Sequence, residues 1–129
     1  VPMTIKEQYY FCHNKEDWDL TMDIIREMYP AYTDSIIQYL EKGELLIYGN
    51  IFVSRYKFVD KYCTWLFSIF DELEKRITIS TDTYQRRVFA FLAERLFTLY
   101  VLHNKLKIKR LPLITVNEMF VHGPTGLNK

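Results

Sequence analysis

Cysteine, glycine and proline are scarce in this chain of 129 residues, which has two cysteines and four each of glycine and proline. Two cysteines cannot form the disulfide framework of a small secreted domain, so we expect a reducing compartment. No apolar run approaches the ~18–20 residues that a membrane-spanning helix needs, and no signal peptide is visible. Repeats and low-complexity linkers are also missing, so we predict a single helical domain over 1–129.

Charge of one sign is not in excess either. The chain has 17 Lys and Arg against 16 Asp and Glu, a formal net charge of +1. A nucleic-acid-binding domain usually has a strongly basic patch, so we expect no nucleic-acid partner. One basic cluster is present, formed by Lys105, Lys107, Lys109 and Arg110, and its alternation is typical of the solvent-facing side of a strand.

Apolar residues at helical spacing are abundant, and they predict a mainly α fold of the α+β class with four or five helices. Asn14 can cap a helix that ends at Pro30, and Thr33 can cap another that ends at Gly43. Two longer amphipathic stretches, at 56–76 and about 83–103, are joined by a short connection. We therefore expect them to pack as an antiparallel pair.

Two segments lack this spacing. Residues 45–53 are rich in Leu, Ile, Phe and Val around Gly49-Asn50, and 106–116 alternate in polarity. β-branched and aromatic residues in short runs favour extended chain. These segments predict a small β element, in which the glycine marks a bulge, a turn or the close approach of a ligand.

The last predicted helix carries Arg86, Arg87, Glu94 and Arg95 inside an otherwise apolar run. An arginine offers a bidentate fork for a phosphate or carboxylate, so one hypothesis is that this cluster contacts substrate. The other hypothesis, which we favour from the residues alone, is an internal Arg–Glu pair that braces the helix.

Tyr48 and Asn50 form a second candidate site. The Asn50 amide could bind sugar hydroxyls, or it could bond its own backbone in a turn, and the sequence leaves both open. Metal binding has weak support, because Cys12, His13, Cys63 and His103 show none of the paired spacings of zinc ligands. Neither a phosphate-binding glycine loop nor a nucleophilic Cys–His pair is indicated.

Several short motifs of the sequence resemble a known family. They are EQY (7–9), the histidine of FCHNKEDWDL (11–20), YPAY (29–32), YGNIFVSRYKF (48–58), YCTWLFSIFDELEKRI (62–77) and TYQRRVFAFLAERLFTLYVLHNKLK (83–107). They resemble the C-terminal half of a domain of bacterial capsular and exopolysaccharide biosynthesis proteins, long described as of unknown function and regarded as a glycosyltransferase. The family often has Gly-His before the motif that contains the asparagine, and this chain has Ile47-Tyr48 there. The N-terminal half of the family's domain has no counterpart in this sequence.

The resemblance implies a set of site residues. Glu94 would be catalytic, and the residues in contact with substrate would be His13, Asn50, Gln85, Arg86 and Arg95, to which the second candidate site adds Tyr48. It implies transfer of a sugar from a nucleotide sugar to a glycan acceptor during synthesis of bacterial surface polysaccharide. The chain, which begins with Val1, would be a C-terminal fragment of a larger domain, inactive alone and prone to self-association.

An alternative implied by the same resemblance is an accessory helical domain without catalysis, in a multidomain sugar enzyme such as UDP-galactopyranose mutase. A free-standing helical interaction protein would fit the composition but not the motifs that resemble the family. In every case we expect no cofactor in this chain, with a divalent metal as the candidate cofactor of a full-length transferase. The expected location is the bacterial cytoplasm, with the inner membrane face as a site of peripheral attachment.

Overall fold

The structure is a computed structural model that describes residues 3–47, 51–112, 114 and 116. It is mainly helical, as the sequence predicts. The helices are α1 (Ile5–Cys12), α2 (Lys15–Met28), α3 (Thr33–Ser35), α4 (Tyr56–Arg76) and α5 (Val88–His103). A 3₁₀ turn at Pro30–Tyr32 and a π-helix at Ile36–Glu41 flank α3, and a 3₁₀ turn at Gln85–Arg87 leads into α5.

Local chemistry explains most of the helix boundaries. The Thr4 hydroxyl caps α1 by accepting a hydrogen bond from the Glu7 backbone N–H at 3.1 Å. Asn14 occupies the predicted N-cap of α2 without a capping side-chain bond, while Glu16 and Asp17 lie in its positively polarised first turn. Pro30 ends α2 and opens the 3₁₀ turn, since proline fixes φ and has no N–H for a continuing helix.

Gly43 follows the π-helix, which ends at Glu41, and a steric constraint requires glycine at this position. An added Cβ would lie 2.3 Å from the Tyr39 carbonyl oxygen, so a larger residue would collide with backbone. The Gly43 carbonyl also accepts a hydrogen bond from the Ile5 N–H at 2.9 Å, which ties this turn to the start of α1. Thr33 is not the cap we predicted; it is the first residue of α3, whose N-cap is Tyr32.

The α4 and α5 helices pack as an antiparallel pair, which confirms the prediction. Phe58, early in α4, contacts Tyr100, late in α5, with ring centroids 6.0 Å apart. Phe70, late in α4, contacts Phe89, early in α5, at 5.1 Å. Buried residues of α1, α2, α4, α5 and the segments between α2 and α4 form one hydrophobic core. Its most completely buried members are Tyr9, Trp18, Met22, Ile24, Ile25, Ile36, Leu40, Ile69, Leu73, Leu92, Leu96 and Leu99.

The predicted β element is not seen in the residues that the structure describes. Residues 45–47, 51–53, 106–112, 114 and 116 form no strand, and the other positions of the two segments, 48–50, 113 and 115, lie outside the described residues. At Ile47, one side chain makes the backbone hydrogen bonds that a neighbouring strand would otherwise make. The Thr98 hydroxyl accepts from the Ile47 N–H at 2.9 Å and donates to the Ile47 carbonyl at 3.2 Å, so this segment is held against α5.

Lys105 turns the chain away from the end of α5. Its φ of 52° is left-handed, and the Leu106 N–H bonds the Val101 carbonyl at 3.1 Å, as in a Schellman cap. A lysine there costs roughly 1 kcal/mol relative to glycine. Beyond it, apolar and basic side chains at 105–111 are exposed alike, so the predicted strand with one solvent-facing side is wrong for these residues.

Candidate functional site

Arg95 is the most deeply buried charged residue among those the structure describes, with 3% of its surface exposed. Its Nη1 donates to the Phe91 carbonyl at 2.9 Å and to the Glu94 carboxylate at 3.1 Å. Its Nη2 donates to the Gln8 side-chain oxygen on α1 at 2.6 Å. The guanidinium also lies 5.4 Å from the centre of the Tyr9 ring, so four groups surround this charge.

Glu94 provides the acidic member of this group. Its side chain is 35% exposed while that of Arg95 is 4% exposed, so the pair runs from the interior to the surface. The adjacent arginine places a fixed positive charge beside the carboxylate. A carboxylate held in this way can accept a proton or a hydrogen bond from a bound hydroxyl.

His13 joins the same group from the end of α1. Its ring stacks on Phe91 with centroids 3.9 Å apart and on Tyr84 at 5.7 Å. Burial lowers the pKa of His13, the positive charge of Arg95 lowers it further, and hydrogen bonding to Gln85 offsets part of this effect. The ring is therefore neutral at pH 7 and can both donate and accept a hydrogen bond.

Gln85 links the turn before α5 to the end of α1. Its side-chain nitrogen donates to the Cys12 carbonyl at 3.0 Å. The local turn that places it begins with Asp82, whose carboxylate accepts from the Tyr84 N–H at 3.2 Å. We call Gln8, His13, Gln85, Glu94 and Arg95 together the Arg95 cluster.

Three buried polar atoms in and beside the Arg95 cluster have no hydrogen-bond partner within the described part of the chain: the Tyr9 hydroxyl, His13 Nδ1 and Arg95 Nε. The Tyr9 and His13 rings are 4.7 Å apart, so these atoms belong to one small region. Burial, reinforced by the charge of Asp17, raises the pKa of Tyr9 and keeps its hydroxyl protonated. Unsatisfied buried groups are rare in native proteins, and functional sites are one place where they occur.

The predicted site residues separate into two sets. His13, Gln85, Glu94 and Arg95 come together in the Arg95 cluster. Arg86 does not join them: it is exposed, and its side chain makes no hydrogen bond or ion pair within the described residues. Tyr48 and Asn50 lie outside the described residues, although Ile47 just before them is bound to Thr98 on α5.

Two residues of this region were missed by sequence reasoning, Gln8 and Tyr9. Both lie on α1, and Gln8 supplies the shortest hydrogen bond that Arg95 makes with a partner distant in sequence. Spacing gave no signal for them, because their partners lie on α5. The EQY motif at 7–9, one of those that resemble the family, was the sequence feature that could have pointed to them.

Two surface grooves of the described structure lie elsewhere. One of about 470 Å³ is lined by Asn14, Glu16, Asp17, Leu20, Arg76 and Thr78. Another of about 530 Å³ lies between α4 and α5, with Phe67, Phe70 and Phe89 in its wall. Neither groove is lined by residues of the Arg95 cluster.

Metal ligands are not grouped in the part of the chain that the structure describes. No set of three or more His, Cys, Asp or Glu there could hold an ion. Cys12 and Cys63 are free thiols, both half-buried. The chemistry available at the Arg95 cluster is therefore that of a carboxylate, a neutral imidazole, amides and a guanidinium.

A family model described as a domain of unknown function, DUF4422, matches residues 1–105. The chain belongs to the DUF4422 family. The match covers α1 through α5 and with them the whole Arg95 cluster. No curated protein and no solved structure matches the chain. Among the described residues of this DUF4422 chain, no helix is long and apolar enough to cross a membrane.

Proposed function

We propose that this DUF4422 chain is part of a glycosyltransferase for bacterial capsular or exopolysaccharide synthesis, which transfers a sugar from a nucleotide sugar to a glycan acceptor. One observation supports the proposal most. Four residues that the resemblance marks, at position 13 and at 85, 94 and 95, lie in one cluster, although α1 and α5 are at opposite ends of the helical chain. This convergence is what a shared substrate site requires, and it supports the proposal for that reason.

Glu94 is the proposed catalytic residue. Its carboxylate accepts the proton of an acceptor hydroxyl, whose oxygen attacks the anomeric carbon of the donor. The bond from that carbon to the nucleotide diphosphate breaks, and its electron pair leaves with the diphosphate. Arg95 donates a hydrogen bond to the Glu94 carboxylate at 3.1 Å and so fixes its orientation.

The other marked residues would bind the two substrates. His13 is neutral at pH 7 and offers its unpartnered Nδ1 to a hydroxyl. The exposed Arg86 lies at the entry to α5, where it can approach the donor diphosphate. Gln85, Tyr48 and Asn50 complete the proposed substrate-binding set, and a divalent metal of the full-length protein would neutralise the leaving diphosphate.

An accessory role is the second candidate, and the bonding of Arg95 favours it. The guanidinium is committed to Gln8, Glu94 and the Phe91 carbonyl, which are all groups of this chain. A helical module braced in this way could serve a catalytic domain of another sugar enzyme without chemistry of its own. The two candidates differ in whether Glu94 is needed for turnover.

The test is acceptor-dependent release of nucleotide from UDP-, GDP- and TDP-sugars by the natural protein that contains this chain. Glu94→Gln keeps the shape of the side chain and removes the proton acceptor, so turnover should fall by roughly 10²–10⁴-fold. The matched control is Glu74→Gln, an exposed glutamate of α4 distant from the cluster. Both variants should melt within a few degrees of the parent protein.

Full transfer by Glu94→Gln, with the control equally active, would assign catalysis elsewhere and leave the accessory role. Loss of transfer in both variants would contradict a specific part for Glu94. Addition and removal of Mg²⁺ or Mn²⁺ in the same assay tests the proposed metal. Turnover by the 129-residue chain alone would contradict our expectation that it is an inactive part of a larger domain.

A further inference from the structure

Two exposed segments lie at the same end of the α4–α5 pair. Residues 51–57 lead into α4, and residues 105–111 leave α5. Because the helices are antiparallel, the start of α4 and the end of α5 are neighbours, as the 6.0 Å distance between the Phe58 and Tyr100 rings shows. We call these two segments together the basic end.

Large apolar side chains project from the basic end into solvent. Val53 is 99% exposed, Ile51 82% and Tyr56 81%. In the second segment, Leu111 is 74% exposed and Ile108 47%. Phe11 and Phe67 are exposed elsewhere, at 79% and 56%, but the three most exposed large apolar side chains of the described residues all lie at the basic end. Single exposed apolar residues are ordinary, whereas such a group is typical of an interaction surface.

The charge of the basic end is entirely of one sign. Its ionisable side chains other than Tyr56 are Arg55, Lys57, Lys105, Lys107, Lys109 and Arg110, and neither segment contains Asp or Glu. The whole chain, in contrast, has a net charge of only +1. None of these six basic residues takes part in an ion pair found among the described residues.

We propose that the basic end docks onto an anionic lipid surface. Exposed aliphatic residues interleaved with lysines and arginines are suited to this environment, because the aliphatic groups enter the acyl boundary while the cations meet lipid phosphates. Nucleic acid would meet the cations but would leave Ile51, Val53 and Leu111 in water. A second copy facing this end through a two-fold axis would oppose like charges.

The test is sedimentation of the purified chain with vesicles of phosphatidylcholine alone or mixed with phosphatidylglycerol. The chain should bind the anionic vesicles and not the neutral ones, and added salt should weaken binding. Replacing Lys107, Lys109 and Arg110 with Gln should lower the partition coefficient by roughly 100-fold, since each basic residue near the surface contributes about a fivefold factor.

A matched control removes the same number of charges from other parts of the molecule through Lys15→Gln, Lys42→Gln and Lys75→Gln, and it should bind like the parent chain. Ile108→Ser with Leu111→Ser tests the apolar part and should weaken binding at least tenfold while leaving all charges in place. These positions are exposed, so folding should be unaffected, which circular dichroism checks.

Insertion has a separate readout. Leu111→Trp should show a blue shift and a rise in fluorescence on addition of anionic vesicles, beyond the change seen for the parent chain, whose Trp18 and Trp65 are buried. Equal binding to neutral vesicles, equal loss in the control, or absence of binding would overturn the proposal. So would tight binding of single-stranded RNA with no binding of vesicles. Sugar transfer is not needed for any of these outcomes, so the proposed function can fail independently.

Discussion

Arg95 shows how one buried charge is accommodated in a core of otherwise apolar side chains. Its partners are a helix carbonyl, a side-chain amide from α1 and a partly exposed carboxylate. The guanidinium therefore has hydrogen-bond acceptors on both Nη atoms, while Nε has no partner within the described chain. A guanidinium of this kind contributes to stability, and in the proposed function it also positions Glu94. Substitutions can separate these contributions.

Arg95→Ala should lower the free energy of unfolding by about 2–4 kcal/mol, because it leaves a cavity and deprives Gln8 of its partner. Arg86→Ala is the control: that side chain is exposed, and the effect should stay within about 0.5 kcal/mol. Urea denaturation followed by circular dichroism measures both. Similar stability of the two variants would contradict the buried network described here.

His13 gives the domain a stability that depends on pH. Its folded pKa is lowered by burial and by Arg95, so on acidification the unfolded chain takes up a proton first. The stability contribution is complete above the ordinary histidine pKa of about 6.5 and is lost as the pH falls toward the lowered folded pKa. His103, whose pKa is also lowered by burial, acts with the same sign.

The free energy of unfolding should therefore decrease when the pH is lowered from about 7.5 to about 5.5. His13→Gln should make this decrease smaller, and the double variant with His103→Gln should make it smaller again. Chemical denaturation at several pH values measures the slope. An unchanged slope in the double variant would show that other groups carry the dependence. At lower pH, Asp17 should oppose the trend, since burial raises its pKa.

At the residue scale, the sequence could mark His13, Gln85, Glu94 and Arg95 through the resemblance, and their convergence was then found. It could not place Arg86 in solvent, because a helix pattern fixes which residues share a face but not which face is covered. It also could not find Gln8, whose partner lies on another helix.

At the scale of elements, Thr98 replaces a strand pairing that the apolar run at 45–53 led us to expect. One hydroxyl satisfies both the N–H and the carbonyl of Ile47, which are otherwise buried beside α5. The segment can thus remain extended without a neighbouring strand.

Thr98→Val keeps the shape of the side chain and removes the hydroxyl, so it leaves two backbone groups unpartnered. We expect a loss of about 2–6 kcal/mol, since each of the two unsatisfied groups costs about 1–3 kcal/mol. Thr98→Ser keeps the hydroxyl and should cost only about 1 kcal/mol for the lost methyl. Hydrogen exchange gives a local check: the Ile47 amide should lose protection in the valine variant and retain it in the serine variant.

Helix existence was predictable from apolar spacing, as α2, α4 and α5 show. The helix boundaries were less predictable than the helices themselves, because tertiary contacts set where a helix begins and ends. Thr33 lies inside a helical turn because Pro30–Tyr32 already starts the turn before it, and α5 begins after the Gln85–Arg87 turn rather than at the predicted position near 83. The strand prediction at 106–116 rested on the alternation of polarity alone. The left-handed Lys105 turns the chain after α5, and the side chains of 106–112 are exposed.

At the scale of the whole molecule, residues from α1 to α5 share one core, so unfolding should be a single cooperative transition. Trp18 lies in α2 beside Tyr9, and Trp65 lies in α4 beside Tyr100. The unfolding curve from tryptophan fluorescence should coincide with the curve from far-ultraviolet circular dichroism. Separated midpoints would show that α1 and α2 unfold independently of the α4–α5 pair.

The rings around Trp65 have an optical consequence. Tyr29, Tyr32, Tyr62 and Tyr100 all have ring centroids within 6.3 Å of it. Excitation energy absorbed by these tyrosines should transfer to the indole before they emit. The fluorescence emission of the folded protein should therefore come almost entirely from tryptophan, even when tyrosine is excited. A tyrosine band emerging in the spectrum would then signal, without any added label, that α4 has separated from its neighbours.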